Sequence, residues 1–239
     1  MPRAVLTFHS IDDSGSVLSF PTRAFGELLE GIAASGTPVM RYEELRSAPN
    51  GVAITFDDGM STVVDNALPV LRSLHLPSHL FLTTGAVGRD NRWASQPPGI
   101  EPMAIMDWGG VEACVSAGMS IENHTASHPD LRGLSAAAIT EECATADEVI
   151  ERCVGRGPRL FAYPYGYVST TAREVAAARY EGSFTADMGY LHATADPHRI
   201  PRIDAYYLRS ALMNGRLMSR SGQAYLGFRS ILRAIRRNA

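Results

Sequence analysis

The chain has 239 residues, 45% of them apolar, and a formal charge of −3. That size accommodates one α/β domain with its own core, and the near-neutral balance excludes a bulk electrostatic pull on nucleic acid. All 22 basic residues are arginines, which excludes Schiff-base and lysine-nucleophile chemistry.

In chain order, short apolar runs alternate with longer amphipathic ones. Ala4–Phe8, Val52–Phe56, His79–Thr83, Met119–Glu122, Leu160–Tyr163 and Ser183–Ala186 have the length and residue types of buried strands. Between them, Phe25–Ala34, Thr62–Leu74, Trp108–Ala117, Ala136–Val154 and Thr171–Arg179 repeat apolar residues at three- and four-residue spacing, the helical period. This alternation predicts an α/β fold with mostly parallel strands, closed or nearly closed into a (β/α) barrel. Its active site should gather at the C-terminal strand ends. Arg89–Ile105, with Asn91, Pro97, Pro98, Gly99 and Pro102, reads as a long loop at that end. The opening apolar run is too short for a secretory h-region, and no stretch nears the ~20 apolar residues of a bilayer span. Cys114, Cys143 and Cys153 lack CxxC spacing and read as inert thiols, so a reducing, cytoplasmic compartment is expected.

Three segments carry chemistry, each at the end of an expected strand: Thr55-Phe56-Asp57-Asp58-Gly59, His124-Thr125-Ala126-Ser127-His128, and Phe161-Ala162-Tyr163-Pro164-Tyr165-Gly166. On a helical turn the four-residue spacing would place both imidazoles on one face, the bite a divalent metal needs. A carboxylate added to two imidazoles makes a facial set with positions left open. Of the adjacent Asp57 and Asp58, one can ligate while the other stays free as a base for an activated water. Trp93, Trp108, Tyr163 and Tyr165 are aromatic candidates for a sugar-stacking wall, with Tyr165 and Trp108 foremost.

These motifs closely resemble those of the polysaccharide deacetylase family, the NodB-homology carbohydrate esterases of family 4. The Asp-Asp and His-x-x-x-His segments match its first two motifs, and Tyr-Pro-Tyr-Gly its third, over about residues 4 to 204. The resemblance implies the distorted (β/α) barrel of the NodB-homology type, assigned to residues 1–220, and the spacing at the C-terminus predicts a basic amphipathic helix over 221–239. It implies Asp57 as general base, Asp58, His124 and His128 as metal ligands, and the Tyr165 backbone N–H as oxyanion donor. Tyr163, Pro164, Tyr165 and Trp108 would contact substrate. The family's late Leu-x-His motif, source of a catalytic acid, is not evident. Leu6-Thr7-Phe8-His9-Ser10 instead resembles the start of the exopolysaccharide poly-N-acetylglucosamine deacetylase branch, which implies His9 as the acid. Ala162 stands where the family carries a base-orienting arginine, and Arg202 is the candidate substitute.

The resulting expectation is a hydrolase that removes an N-acetyl group from an amino sugar in a saccharide or glycan precursor. Zn²⁺ is the default cofactor for this donor set, with Co²⁺, Ni²⁺ or Fe²⁺ as alternatives. The rivals are hydrolysis of another amide, such as a sugar formamide or a small cyclic amide, and a catalytically inactive glycan-binding protein. Tyr225, Phe228, Ile231, Leu232 and Ile235 recur at helical spacing beside Arg229, Arg233, Arg236 and Arg237. They read first as a helix packed on the barrel, and second as an interfacial helix in peripheral contact with a membrane.

Overall fold

Runs that are apolar at every position bury both faces of a strand, which requires helices outside and closure within. The structure, a computed structural model, describes residues 2–209, 213 and 215–238, with side chains described as far as residue 232. Its strands are β1 (Arg3–Phe8), β2 (Ser10–Ile11), β3 (Ser19–Phe20), β4 (Gly51–Asp58), β5 (His79–Leu82), β6 (Ser120–Asn123), β7 (Leu160–Ala162), β8 (Gly182–Met188) and β9 (Ile200–Asp204). Among the described residues, seven of these close into a parallel barrel in the order β1-β4-β5-β6-β7-β8-β9, with β9 returning to β1. The small pair β2–β3 lies apart from it. The helices are α1 (Thr22–Ala34), α2 (Tyr42–Leu45), α3 (Leu68–Ser73), α4 (Trp108–Ser116), α5 (Ala136–Val154), α6 (Thr170–Arg179) and α7 (Arg220–Asn238). The expected distorted (β/α) barrel is therefore present. No described helix is long and apolar enough to cross a membrane.

Period-2 alternation divides the core into two layers. Val5, Ala53, Phe81, Leu160, Ala162, Phe184 and Ile200 fill the barrel, which Tyr42 and Leu45 plug at the N-terminal strand ends. Outside the strands, Phe8 meets Phe20, Phe25 and Phe56 at centroid distances of 5.3, 5.2 and 5.6 Å. Each such ring contributes about 1.5–3 kcal/mol by leaving water. Toward the C-terminal strand ends the buried residues turn polar: Thr7, Thr55, Asp57 and Arg202 are all 5% exposed or less.

Helix ends follow local chemistry. Ser135 caps α5 through the Ala138 amide, and Gly155 stops it at φ 81°. Several features depart from expectation. The helix expected over Thr62–Leu74 begins as a π-helical turn, Val63–Ala67, before α3 takes over at Leu68; Pro69 has no N–H for the ordinary ladder. The four-residue α2, the short pair β2–β3 and the strand β9 have no counterpart among the expected elements. Pro201 and Arg202 make β9 read as loop, although Arg202 is 3% exposed.

Candidate active site

The first motif completes β4. Asp58 adopts φ 72°, a backbone region that costs energy for any side chain but glycine. Thr125, His128 and Tyr165 share it at φ 69°, 57° and 59°. Only His75, at φ 53°, lies elsewhere among the described non-glycine residues with positive φ. Backbone strain collected on one rim marks a place where geometry is held for a purpose. The His-x-x-x-His segment is thus a strained turn after β6, not the helical turn expected, and the two left-handed residues bring the imidazoles together instead.

Both imidazoles converge on one oxygen. Nε2 of His124 and Nε2 of His128 each stand 3.4 Å from Asp58 Oδ1. Neither contact is a hydrogen bond, and that buried oxygen has no other partner. Such an orphan is costly unless something positive fills the gap. His124 Nδ1 donates to the Ala162 carbonyl at 2.8 Å, which points Nε2 toward Asp58. One atom from each of the three side chains lies within 4.8 Å of the others. One carboxylate and two imidazoles, aimed at one point, fit a divalent cation.

Burial and neighbouring charge pull on these groups in opposite directions. Burial pushes the His128 imidazole down to about 3, leaving it neutral. Burial raises the Asp58 carboxyl, but its contact with His124, an imidazole that Asp58 and Asp57 raise against its own burial, outweighs this and holds Asp58 below the usual carboxylate range. Beside this set, Asp57 accepts a two-pronged bond from Arg202, Nη1 to Oδ1 and Nη2 to Oδ2, both 2.7 Å. Burial again works upward on Asp57, and the guanidinium brings its carboxyl below the ordinary value. Arg202 is itself fixed by donating from Nε to the Thr185 carbonyl at 3.1 Å.

A cleft of about 250 Å³ opens over these groups, and His9, Asp57, Asp58, His124, His128, Tyr165 and Arg202 all line it. Tyr165 holds its place through Gly166, where a Cβ would lie 2.1 Å from the Ala186 nitrogen. Three expected contacts do not reach the cleft. Tyr163 has the parity of Phe161, so its ring packs outside the barrel at 5.1 Å from that residue and its hydroxyl donates to the His198 carbonyl. Pro164 is buried beneath the turn. Trp108 starts α4, whose Asp107 cap turns the indole onto the outer layer. Trp93 takes the wall position instead. Its indole stacks on His128 at 4.3 Å and 27°, while Ser95 binds both the His128 carbonyl and the Tyr165 hydroxyl at 2.8 Å. Both residues come from the long loop, which the Asn91 side chain closes by accepting from the Met103 amide.

A parallel α/β barrel with a carboxylate–imidazole–imidazole set at its C-terminal rim defines a class of hydrolase scaffolds built around a cation. Within that class the chain belongs to the polysaccharide deacetylase family, whose profile matches residues 45–180. It is 26% identical over 180 residues to the poly-β-1,6-N-acetyl-D-glucosamine N-deacetylase of Staphylococcus epidermidis, covering 69% of this chain and 58% of that protein. It is 28% identical over 130 residues to a chitin deacetylase of Colletotrichum lindemuthianum, covering 54% of this chain and 46% of that protein. The chain thus spans about half the length of these relatives. The structure of IcaB from Ammonifex degensii superposes with a TM-score of 0.74 at 22% identity, over 86% of this chain and 94% of that one. The family is metal-dependent, in keeping with the donor set found here.

Proposed function

We propose that the chain is a metal-dependent amino-sugar N-deacetylase, acting on an N-acetylated saccharide or glycan precursor. The observation that carries this reading is the buried, unpartnered Asp58 Oδ1, 3.4 Å from both imidazoles and next to an Asp57 clamped by Arg202. Asp58, His124 and His128 would hold the cation, with Zn²⁺ the default and Co²⁺, Ni²⁺ or Fe²⁺ alternatives. When bound it supplies Lewis acidity toward the acetyl carbonyl and makes water more acidic. Asp57, kept ionised by Arg202, takes a proton from the attacking water. The Tyr165 backbone N–H, on its strained turn, donates to the oxyanion that develops as the carbonyl carbon becomes tetrahedral. His9, at the end of β1, gives a proton to the sugar nitrogen as the C–N bond breaks, leaving acetate and a free amine. Trp93 and Tyr165 would offer their rings to the sugar.

Relatives named for poly-N-acetylglucosamine and chitin deacetylation support an N-acetylglucosamine-type substrate. Cys114, Cys143 and Cys153 are free thiols, which suits a reducing, cytoplasmic compartment and a biosynthetic precursor as substrate. The test is metal analysis followed by acetate release from an N-acetylglucosamine oligomer. Purified protein should carry about one divalent ion, and Asp58→Asn should lose both ion and turnover while remaining folded, with an unfolding temperature near that of the chelator-stripped wild type. An Asp58→Asn protein that retains the metal or deacetylates normally would overturn the assignment.

A further inference from the structure

Among the described residues seven large apolar side chains are exposed: Val17, Val115, Tyr206, Tyr225, Phe228, Ile231 and Leu232. Val115 lies on α4, and the other six lie on α7 or on segments linked to it by contacts. Four lie on α7 at positions that share one side of a helix, with Phe228 59% and Ile231 61% exposed. The opposite side of α7 is seated on the barrel. Leu226 is buried, Ser230 donates to the Met188 carbonyl at 2.9 Å, and Gly222 lies so close to the Arg216 carbonyl that a Cβ would stand 2.0 Å from it. Arg229 caps the Tyr207 ring at 5.0 Å, Tyr207 meets Tyr206 at 5.4 Å, and Arg209 covers Tyr206 at 4.5 Å while donating to the Val17 carbonyl. These contacts link α7 through Tyr207 and Tyr206 to the loop carrying Val17.

Charge is segregated onto the same region. Asp204 is the last acidic residue, and seven arginines follow it, so residues 205–239 carry +7 while residues 1–204 carry −10. The side chains of Arg233, Ile235, Arg236 and Arg237 lie outside the described residues, but their charges and their place on α7 belong to this total. An apolar helical face on a helix whose charged residues are all arginines is the pattern that settles into the headgroup layer of an anionic bilayer. A second copy of the chain is a poor occupant, because pairing two such faces would oppose +7 with +7.

We propose that α7, with Tyr206 and Val17, is an interfacial docking surface for an anionic lipid bilayer. The inference goes beyond the deacetylase reading and holds whatever acyl group the cleft removes. Its placement bears on the cleft all the same: Val17 adjoins Leu18 and Tyr206 follows Asp204 by two, and both Leu18 and Asp204 line that cleft. A docked molecule would present the mouth of the cleft close to the membrane surface, where a lipid-carried saccharide would be met.

The test uses the full chain and sedimentation with phosphatidylcholine vesicles prepared with and without phosphatidylglycerol. Wild-type protein should partition onto the anionic vesicles at least about tenfold better than onto neutral ones, and the preference should fall as salt rises from ~0.05 to ~0.5 M. The double variant Phe228→Glu/Ile231→Glu should lose about tenfold or more of that binding, with an unchanged unfolding temperature because both sites are exposed. Equal binding to both vesicles, no binding by folded wild-type protein, or a double variant that binds like wild type would overturn the proposal. So would a dimer in sedimentation velocity that the same substitutions dissolve. Should the double variant misfold, the lipid and salt contrasts of the wild-type chain decide alone.

Discussion

Asp57 is buried and charged, and without a compensating cation a carboxylate in that position would take up a proton. Arg202 supplies the compensation through two 2.7 Å bonds, yet it touches none of the three residues around the candidate cation. Arg202→Ala should therefore cut acetate release by about 10²-fold or more while metal content stays near that of the wild type. The sign of the pH effect follows: with the guanidinium gone, burial raises the Asp57 carboxyl, so the acidic limb of the rate profile moves to higher pH. Rates measured across pH, beside metal analysis, check both parts; unchanged turnover would remove Arg202 from the site. Gly166→Ala should destabilise by about 2–4 kcal/mol, since its Cβ would meet backbone at 2.1 Å, and should lower turnover by displacing the Tyr165 amide. Melting curves and single-substrate rates would report the two losses separately. The residues that converge here were legible because adjacent aspartates and spaced histidines are rare outside a shared task. Tyr163, Pro164 and Trp108 were misplaced because strand parity and helix rotation decide which way a ring points, and neither shows in a short motif. Trp93 ranks behind Trp108 on sequence alone because its loop has no periodicity from which to read orientation.

Elements were legible where period and capping agreed, as in α5, whose bounds match its apolar repeat and its Ser135 and Gly155 ends. They were illegible where long-range contacts replace local signals. β9 has a proline and a buried arginine, and becomes a strand only because β8 and β1 flank it. The β6–β7 seam is the extreme case, with a single paired position, Asn123 with Phe161. Glu122 does the joining there: its Oε2 accepts from the amides of Arg159 and Leu160 at 2.7 and 2.9 Å, and its Oε1 from Arg156 at 3.1 Å. Burial works upward on this carboxyl, but His79, Arg156 and the amides hold it below the usual glutamate value of 4.5. A depressed folded value means the stabilisation is fully present above about pH 4.5 and is lost as pH falls through the lower, folded value. Glu122→Gln should thus cost about 1–3 kcal/mol at neutral pH, and the deficit should shrink in acid as the wild type loses the same charge. Urea unfolding at pH 7 and near pH 3 tests this. A deficit that stayed constant would show that the seam does not depend on ionisation.

At the scale of the whole molecule, backbone strain is unevenly spent. Four of the five described non-glycine residues with positive φ surround the candidate cation position, so relieving them should exchange geometry for stability. His75 is the contrast. It is exposed, sits at φ 53° directly after α3, and lies away from the cleft. The Leu76 amide reaches back to the Leu71 carbonyl at 2.9 Å, the closing bond of a helix end that favours glycine at this position. His75→Gly should therefore remove a left-handed penalty partly offset by a more flexible unfolded chain, for a net gain of about 0.5 kcal/mol. In a chain of this size that raises the unfolding midpoint by about 1–2 °C, with acetate release unchanged. The equivalent Thr125→Gly removes similar strain but also the hydroxyl that accepts from the His128 amide at 3.0 Å. It should leave stability flat or lower and loosen metal retention. Calorimetry of the two variants side by side, with metal content, separates strain that serves the site from strain that does not. A stabilised, fully metallated Thr125→Gly would mean that the turn bearing the histidines needs no such constraint.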